Sequence, residues 1–372
     1  MFIAKKQAFI LGRLLILMNL FCSISYGQHR TISTDNPKLS ALDKQVDKYV
    51  TQYYQDKRSV GVSIGIVKGG NIYFYNYGET QAGNKLRPDK NTIYEIGSTT
   101  KSFTGILLGQ AITDHKIGLD NDIRDYLKGE FPNLVYQGTP ITIRNLASHT
   151  SRITRIFPNM WERPEYDSLN PLKNYNKALL YQGLHKMQMD TLPGKKYAYS
   201  NMAVALLGTI LEDAYGKDYF TLIQKYILTP LQMDNTMIRI DALPARRIAH
   251  PHDENRKPVP MWDIFYVPAM GALRSTTTDM VKYIIANNNE ANAAIKLSHQ
   301  RIFGTDEDGM GLNWFLHRTP TGHRVLEHSG GTGGSRSSLE CFPELKTGFV
   351  ILTNSLANRN QLEKDLASLL SK

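Results

Sequence analysis

The sequence predicts an α+β fold, an antiparallel sheet flanked by N- and C-terminal helices with a mainly helical subdomain inserted in sequence. Three observations carry this. Runs with the two-residue alternation of strands lie near both ends of the chain, around 60–78 and 312–353. Between them, from about 98 to 280, the pattern is mostly helical, and amphipathic stretches at 39–54 and 360–370 lie outside the strand-forming segments. N-terminal strands must therefore pair with C-terminal ones, and the cleft between sheet and helical subdomain is the expected place for a site.

The elements follow in order. Lys5, Lys6 and Arg13 precede an apolar run at 14–21, and Ser25 and Gly27 suit a signal peptidase site, so a signal peptide over 1–27 is expected. That reading implies a periplasmic or secreted protein with no membrane association after cleavage. The apolar run is broken by Asn19 and shorter than a span needs, and Cys22 lacks the small preceding residue of a lipoprotein site. Residues 28–37 read as flexible, and 38–372 as one domain. The helix at 39–54 puts Leu39, Leu42, Val46, Val50 and Tyr53 on one side. The hairpin at 60–78 turns at Lys68-Gly69-Gly70-Asn71. Ser63, in a literal G-x-S-x-G, lies inside its alternation and reads as a strand residue, not a nucleophile elbow. A helix from Ser98 to about 113 is apolar nearly all round and hence buried, and another at 202–215 is closed by Gly216. Strands follow at 324–330, 337–342 and 348–353, the last two joined by a turn containing Lys346-Thr347-Gly348.

Composition excludes more than it selects. The formal charge is +10, three units of it in the leader, without a clustered basic stripe, so nucleic acid is not an expected partner. With Cys22 in the leader, Cys341 stands alone and no intramolecular disulfide can form.

Three short motifs carry chemistry. In Ser98-Thr99-Thr100-Lys101, Ser98 sits on the first turn of a buried helix and Lys101 lies one turn on, sharing its face. A desolvated ammonium beside a serine loses its proton readily and becomes a base for the hydroxyl. Tyr199-Ser200-Asn201 falls at a loop-to-helix junction. Cations near Tyr199 would lower its pKa and make a phenolate base. His328-Ser329-Gly330 ends a strand. His250-Pro251-His252-Asp253-Glu254 has metal-ligand residue types but lacks H-x-H-x-D-H spacing, and reads as a solvated loop rather than a metal site.

Taken together, these motifs resemble the serine β-lactamase and penicillin-binding DD-peptidase superfamily, in its class C β-lactamase-like branch with H-x-G in place of K-T-G. Other segments match its pattern, among them Leu146 to Ser151, Pro230 to Met233 and Gly309 to Trp314. Arg152 departs from it, standing where the family usually has Gly, and so does Ala272. The resemblance implies catalysis by Ser98, Lys101 and Tyr199, an oxyanion hole from the backbone of Ser98 and Gly331, and substrate binding by Asn201, His328, Ser329 and Gly330. No metal or organic cofactor is implied. It also implies a D-alanyl-D-alanine carboxypeptidase or D-peptidase that interacts with penicillin, with a small-molecule or peptide substrate and peptidoglycan as a potential target. A class C-like β-lactamase or a carboxylesterase is the alternative on the same machinery, and a non-catalytic penicillin-binding or peptidoglycan-binding regulator the alternative of another class. The loop at 153–175, with Trp161, Arg163 and Tyr166, is expected to border the cleft and set substrate preference.

Overall fold

The computed structural model describes residues 32–372, so the expected leader lies outside the described residues. An eight-stranded antiparallel sheet is built from β1 (Gly61–Lys68), β2 (Asn71–Gly78) and a run of later strands. β3 (Tyr94–Glu95) pairs with β6 (Arg274–Ser275), and β4 (Val135–Tyr136) with β5 (Thr139–Pro140), as two small separate sheets. The main sheet resumes with β7 (Phe303–Gly304), β8 (Gly309–Met310), β9 (Phe315–Arg318), β10 (Arg324–Gly331), β11 (Arg336–Phe342) and β12 (Thr347–Thr353). Its order is β2-β1-β12-β11-β10-β9-β8-β7, so the first hairpin pairs with the last strand as expected, with Ile64 opposite Ile351.

Period-two alternation gives the sheet two apolar faces. Val62, Ile64, Ile66, Phe349 and Ile351 meet Val46 and Val50 of α1 (Ala41–Tyr53) and Leu362, Leu366 and Leu370 of the C-terminal helix Asn360–Leu370. Val350, Leu352, Leu339 and Cys341 belong to the larger core on the other face. Phe103 and Leu107 of α2 (Thr100–Thr113) lie in that core too. Burying each of Leu362, Leu366 and Leu370 contributes about 1.5–3 kcal/mol. α1 is shorter than its pattern suggests: a capping box between Ser40 and Asp43 starts it, leaving Leu39 before the helix and 79% exposed. Residues 32–37, expected to be flexible, are tied to β2 by a bridge from Thr34 to Tyr77 and by Asn36 Nδ2 donating to the Tyr77 hydroxyl at 2.6 Å.

α2 runs through the larger core with so little clearance that a Cβ on Gly105 would stand 1.7 Å from the Leu312 carbonyl oxygen. The helix after Ser200 spans Asn201–Tyr215 and ends on Gly216 at φ +64°, as its sequence pattern requires. Ser63 is a strand residue whose hydroxyl lies 3.0 Å from that of Tyr94, and Lys346 takes φ +52° in the turn before β12. Among the described residues no helix is long and apolar enough to cross a membrane.

Candidate active site

Ser98 lies on a single 3₁₀ turn, Gly97–Thr99, that leads from β3 into α2. Gly97 makes that turn possible twice over. Its φ of +48° is a left-handed value, and a Cβ there would stand 2.7 Å from the Gly331 nitrogen. On the opposing strand a Cβ on Gly330 would stand 2.0 Å from the Ile96 carbonyl oxygen and 2.8 Å from the Ser98 nitrogen. Two glycines thus let β10 lie directly against the serine turn, bringing the Ser98 and Gly331 backbones together. The Thr99 and Ser337 hydroxyls, 2.8 Å apart, and the Leu273 N–H donating to Thr100 Oγ1 at 3.1 Å hold the turn in place.

Lys101 is fully buried. Its Nζ donates to Ser98 Oγ at 3.1 Å and to the Met270 carbonyl, and no carboxylate pairs with it among the described residues. Desolvation, reinforced by the Arg155 charge, pushes this amine well below the usual lysine range. A neutral Nζ has a lone pair with which to take the Ser98 proton, as the sequence reading requires.

Tyr199 departs from expectation. Its hydroxyl lies beside Ser98, and its ring lies under Lys101 Nζ, 5.1 Å from the centroid, and under Arg155, 5.3 Å away. Yet burial raises the phenol to about 12, outweighing the Arg155 field. The expected fall presumed two charged neighbours, and one of them is held neutral. Tyr199 is therefore a proton donor in its resting state. His149, fully buried, packs on its ring at 4.4 Å between centroids and accepts the Ser200 N–H on Nδ1 at 3.2 Å. Ser200 caps the next helix by accepting the Ala203 N–H, which sets Tyr199 and Asn201 on the cleft side of that junction.

His328, like Lys101, is held away from its charged form. It is 1% exposed, and burial lowers its pKa to about 3, so it carries no charge at neutral pH. Its Nδ1–H donates to the Ser329 carbonyl at 2.9 Å, leaving buried Nε2 as an unpartnered acceptor. It replaces the lysine of K-T-G in position but not in charge. Beyond it, Thr332 donates to Glu95 Oε2 at 2.6 Å, while Glu95 Oε1 accepts the Trp262 N–H at 2.7 Å. This buried carboxyl, raised by desolvation, ties the turn after Gly331 to the segment carrying Trp262.

All eight sequence-predicted site residues come together except that Lys101 lies beneath the surface; Ser98, Tyr199, Asn201, His328, Ser329, Gly330 and Gly331 line one open cleft of about 730 Å³. Sequence reasoning missed Arg155, Trp262, Phe315, Arg336 and Arg359, which also line it beside Ile156, Tyr197 and Thr332. Only the first had a signal, lying just beyond the His149-Thr150 segment. The 153–175 loop contributes Arg155 and Ile156 but neither Trp161 nor Tyr166 to that lining. Arg163 is a buried staple, donating to the Met160, Pro171 and Lys173 carbonyls. Arg152 occupies φ +65°, which explains the usual glycine, and its guanidinium is held by Asp190 at 2.7 Å. His252 is fully buried rather than in a solvated loop: Nδ1–H donates to the Asn354 carbonyl at 2.9 Å, and Nε2 accepts the Ala82 N–H at 3.1 Å. Both ring nitrogens are thereby engaged.

The profile of the Beta-lactamase family matches residues 46–371. A D-alanyl-D-alanine-carboxypeptidase/endopeptidase, AmpH, of Escherichia coli (strain K12) is 27% identical over 334 residues, spanning 84% of this chain and 84% of its own. A beta-lactamase of Pseudomonas fluorescens is 25% identical over 285 residues, 74% of each chain. In fold, a solved class C beta-lactamase superposes with a TM-score of 0.77 at 22% identity, over 91% of this chain and 98% of that one.

Proposed function

The chain belongs to the Beta-lactamase family and is a serine hydrolase, and from that premise we propose that it is a D-alanyl-D-alanine carboxypeptidase or related D-peptidase with Ser98 as its acylated nucleophile. The observation that carries this reading is the fully buried Lys101 nitrogen 3.1 Å from Ser98 Oγ, its basicity lowered toward the free amine.

In the proposed cycle Lys101 Nζ takes the Ser98 proton as Oγ attacks the scissile carbonyl. The oxyanion forms between the backbone N–H groups of Ser98 and Gly331. Tyr199, a neutral phenol against the same serine, protonates the leaving amine and is reprotonated from the Lys101 side. Water then enters, loses a proton to the same pair and attacks the acyl carbonyl; the bond from that carbon to Ser98 Oγ breaks, the same proton returns to Oγ, and the free acid leaves. Asn201 contacts the amide on the acyl side. His328 orients substrate as a hydrogen-bond acceptor through Nε2 rather than by charge. The leader-like residues 1–27 support export, which would place D-peptides of the cell wall within reach.

A β-lactamase reading is favoured by the Pseudomonas fluorescens relative and uses the same groups. Intact-protein mass spectrometry after exposure to benzylpenicillin separates the two. A persistent adduct absent from Ser98→Ala supports a slowly deacylating D-peptidase, and a transient adduct with hydrolysed drug supports a β-lactamase. The same adduct on wild type and Ser98→Ala would remove Ser98 as the nucleophile.

A further inference from the structure

The cleft lining holds three guanidinium groups and no carboxylate, and the three are not equivalent. Arg359 is spent on the Ser338 hydroxyl, the Ser337 carbonyl and Glu363. Arg336 gives its Nη1 to the Thr332 and Ser335 carbonyls. Arg155 has no hydrogen bond or ion pair from its side chain to any described residue, and its guanidinium lies over the face of the Tyr199 ring, 5.3 Å from the centroid. It is exposed to the cleft, so its planar fork of donors is open to a ligand.

Its place is set by main chain. The Arg155 carbonyl accepts the Asn201 N–H at 3.1 Å, and the Ser200 hydroxyl donates to the neighbouring Thr154 carbonyl at 2.8 Å. Arg155 is thus tied to the Asn201 side of the cleft, whereas Arg336 stands opposite Gly331 across the β10–β11 ladder. His328 is neutral and Lys101 is held toward neutrality, so the inner wall offers no fixed charge to an anion.

We infer that Arg155 recognises a carboxylate carried on the acyl half of the substrate, so that the preferred substrates are acyl-D-peptides with an anionic acyl substituent. This rests on the reading of Ser98 as nucleophile and Asn201 as the acyl-side contact. A bidentate guanidinium–carboxylate pair at a half-open site selects by about tenfold to a hundredfold over an uncharged isostere.

The test compares kcat/KM of the full chain for glutaryl-D-alanyl-D-alanine and valeryl-D-alanyl-D-alanine, which differ in a terminal carboxylate against a methyl. Ser98→Ala, Arg155→Gln and Arg155→Lys are measured alongside. Expected is a wild-type preference of at least about tenfold for the glutaryl peptide, expressed mainly in KM, lost in Arg155→Gln and reduced but still present in Arg155→Lys, which keeps the charge without the fork. Taking the ratio of two substrates at one pH cancels any effect of Arg155 on Lys101. Ser98-dependent turnover of both peptides with no preference, or a preference that survives Arg155→Gln, overturns the inference while leaving the proposed function standing. An Arg155→Gln enzyme whose acid limb moves while its substrate ratio stays that of wild type also overturns it, leaving Arg155 a positioning residue for the Lys101 proton. Absence of any Ser98-dependent hydrolysis of either peptide removes the proposed function, and this inference with it.

Discussion

The inner wall of the cleft and its rim treat charge in opposite ways. Lys101, His149 and His328 are each buried to within 1% exposure, and all three are driven by desolvation toward their uncharged forms. At the rim Arg155 is exposed and Arg336 half-buried, and guanidinium groups keep their charge in either setting. The difference teaches that depth within one cleft separates the groups held uncharged from those that keep their charge. A base must be neutral to act, so it is placed where charge is expensive; an anchor must be charged, so it is placed where water still reaches it.

The largest test of that division is Lys101→Arg. It keeps a long cationic side chain but forbids the neutral state, and should lower kcat by ~10⁴ or more, as far as Lys101→Ala does. Steady-state kinetics with a circular dichroism check of folding measure it, and an active Lys101→Arg enzyme would end the neutral-lysine account. Next is Tyr199→Phe, which removes the proton donor while keeping the ring, and should slow acylation by roughly 10²–10⁴ in stopped-flow measurements.

Gly97→Ala tests whether depth depends on backbone contact. The left-handed φ alone costs about 1–2 kcal/mol, and the methyl must also push the Gly331 amide away. Melting temperature and kcat/KM should fall together; a loss of stability with full activity would show that the Gly331 amide is not needed.

His328 gives a pH-dependent test of burial. Its folded pKa lies near 3 against 6.5 ordinarily, so between those values the unfolded chain binds the extra proton. This contribution to stability is therefore constant above pH 6.5 and falls as pH drops through the window, by about 2 kcal/mol at pH 5. His328→Gln should flatten the denaturant-unfolding profile between pH 7 and 5 by that amount. Unchanged pH dependence would mean His328 is not held neutral. The smallest effect is expected at the exposed margin: Arg152→Gly relieves a left-handed residue but loses the ion pair to Asp190, and stability in urea should move by less than about 1 kcal/mol. A larger loss would make that pair a structural anchor of the loop.

How far the site was legible follows the range of the interactions involved. Ser98 and Lys101 are three residues apart at the start of one helix, so local geometry brings them together whatever the rest of the chain does. Tyr199 and Asn201 flank a cap that Ser200 announces, and Gly216 announces the far end of the same helix. Arg336 and Arg359 had no such signal, because each reaches the cleft through β11 and the turn after β12, whose positions depend on long-range strand pairing. The 153–175 loop borders the cleft as expected, but through Arg155 and Ile156 rather than Trp161 or Tyr166, because Arg163 folds the rest of the loop onto its own carbonyls.

By itself the sequence determined the antiparallel sheet closed by both chain ends, the buried helix that carries Ser98 and Lys101, and the order of the three motifs. These depend on periodicity, caps and glycine positions, which act over a few residues. Only the tertiary structure decided which groups are charged. Tyr199 was expected to ionise and is held as a phenol, and His252 was read as solvated and is locked between two backbone groups. Desolvation sums over every atom packed around a group, and that packing exists only after distant segments have met.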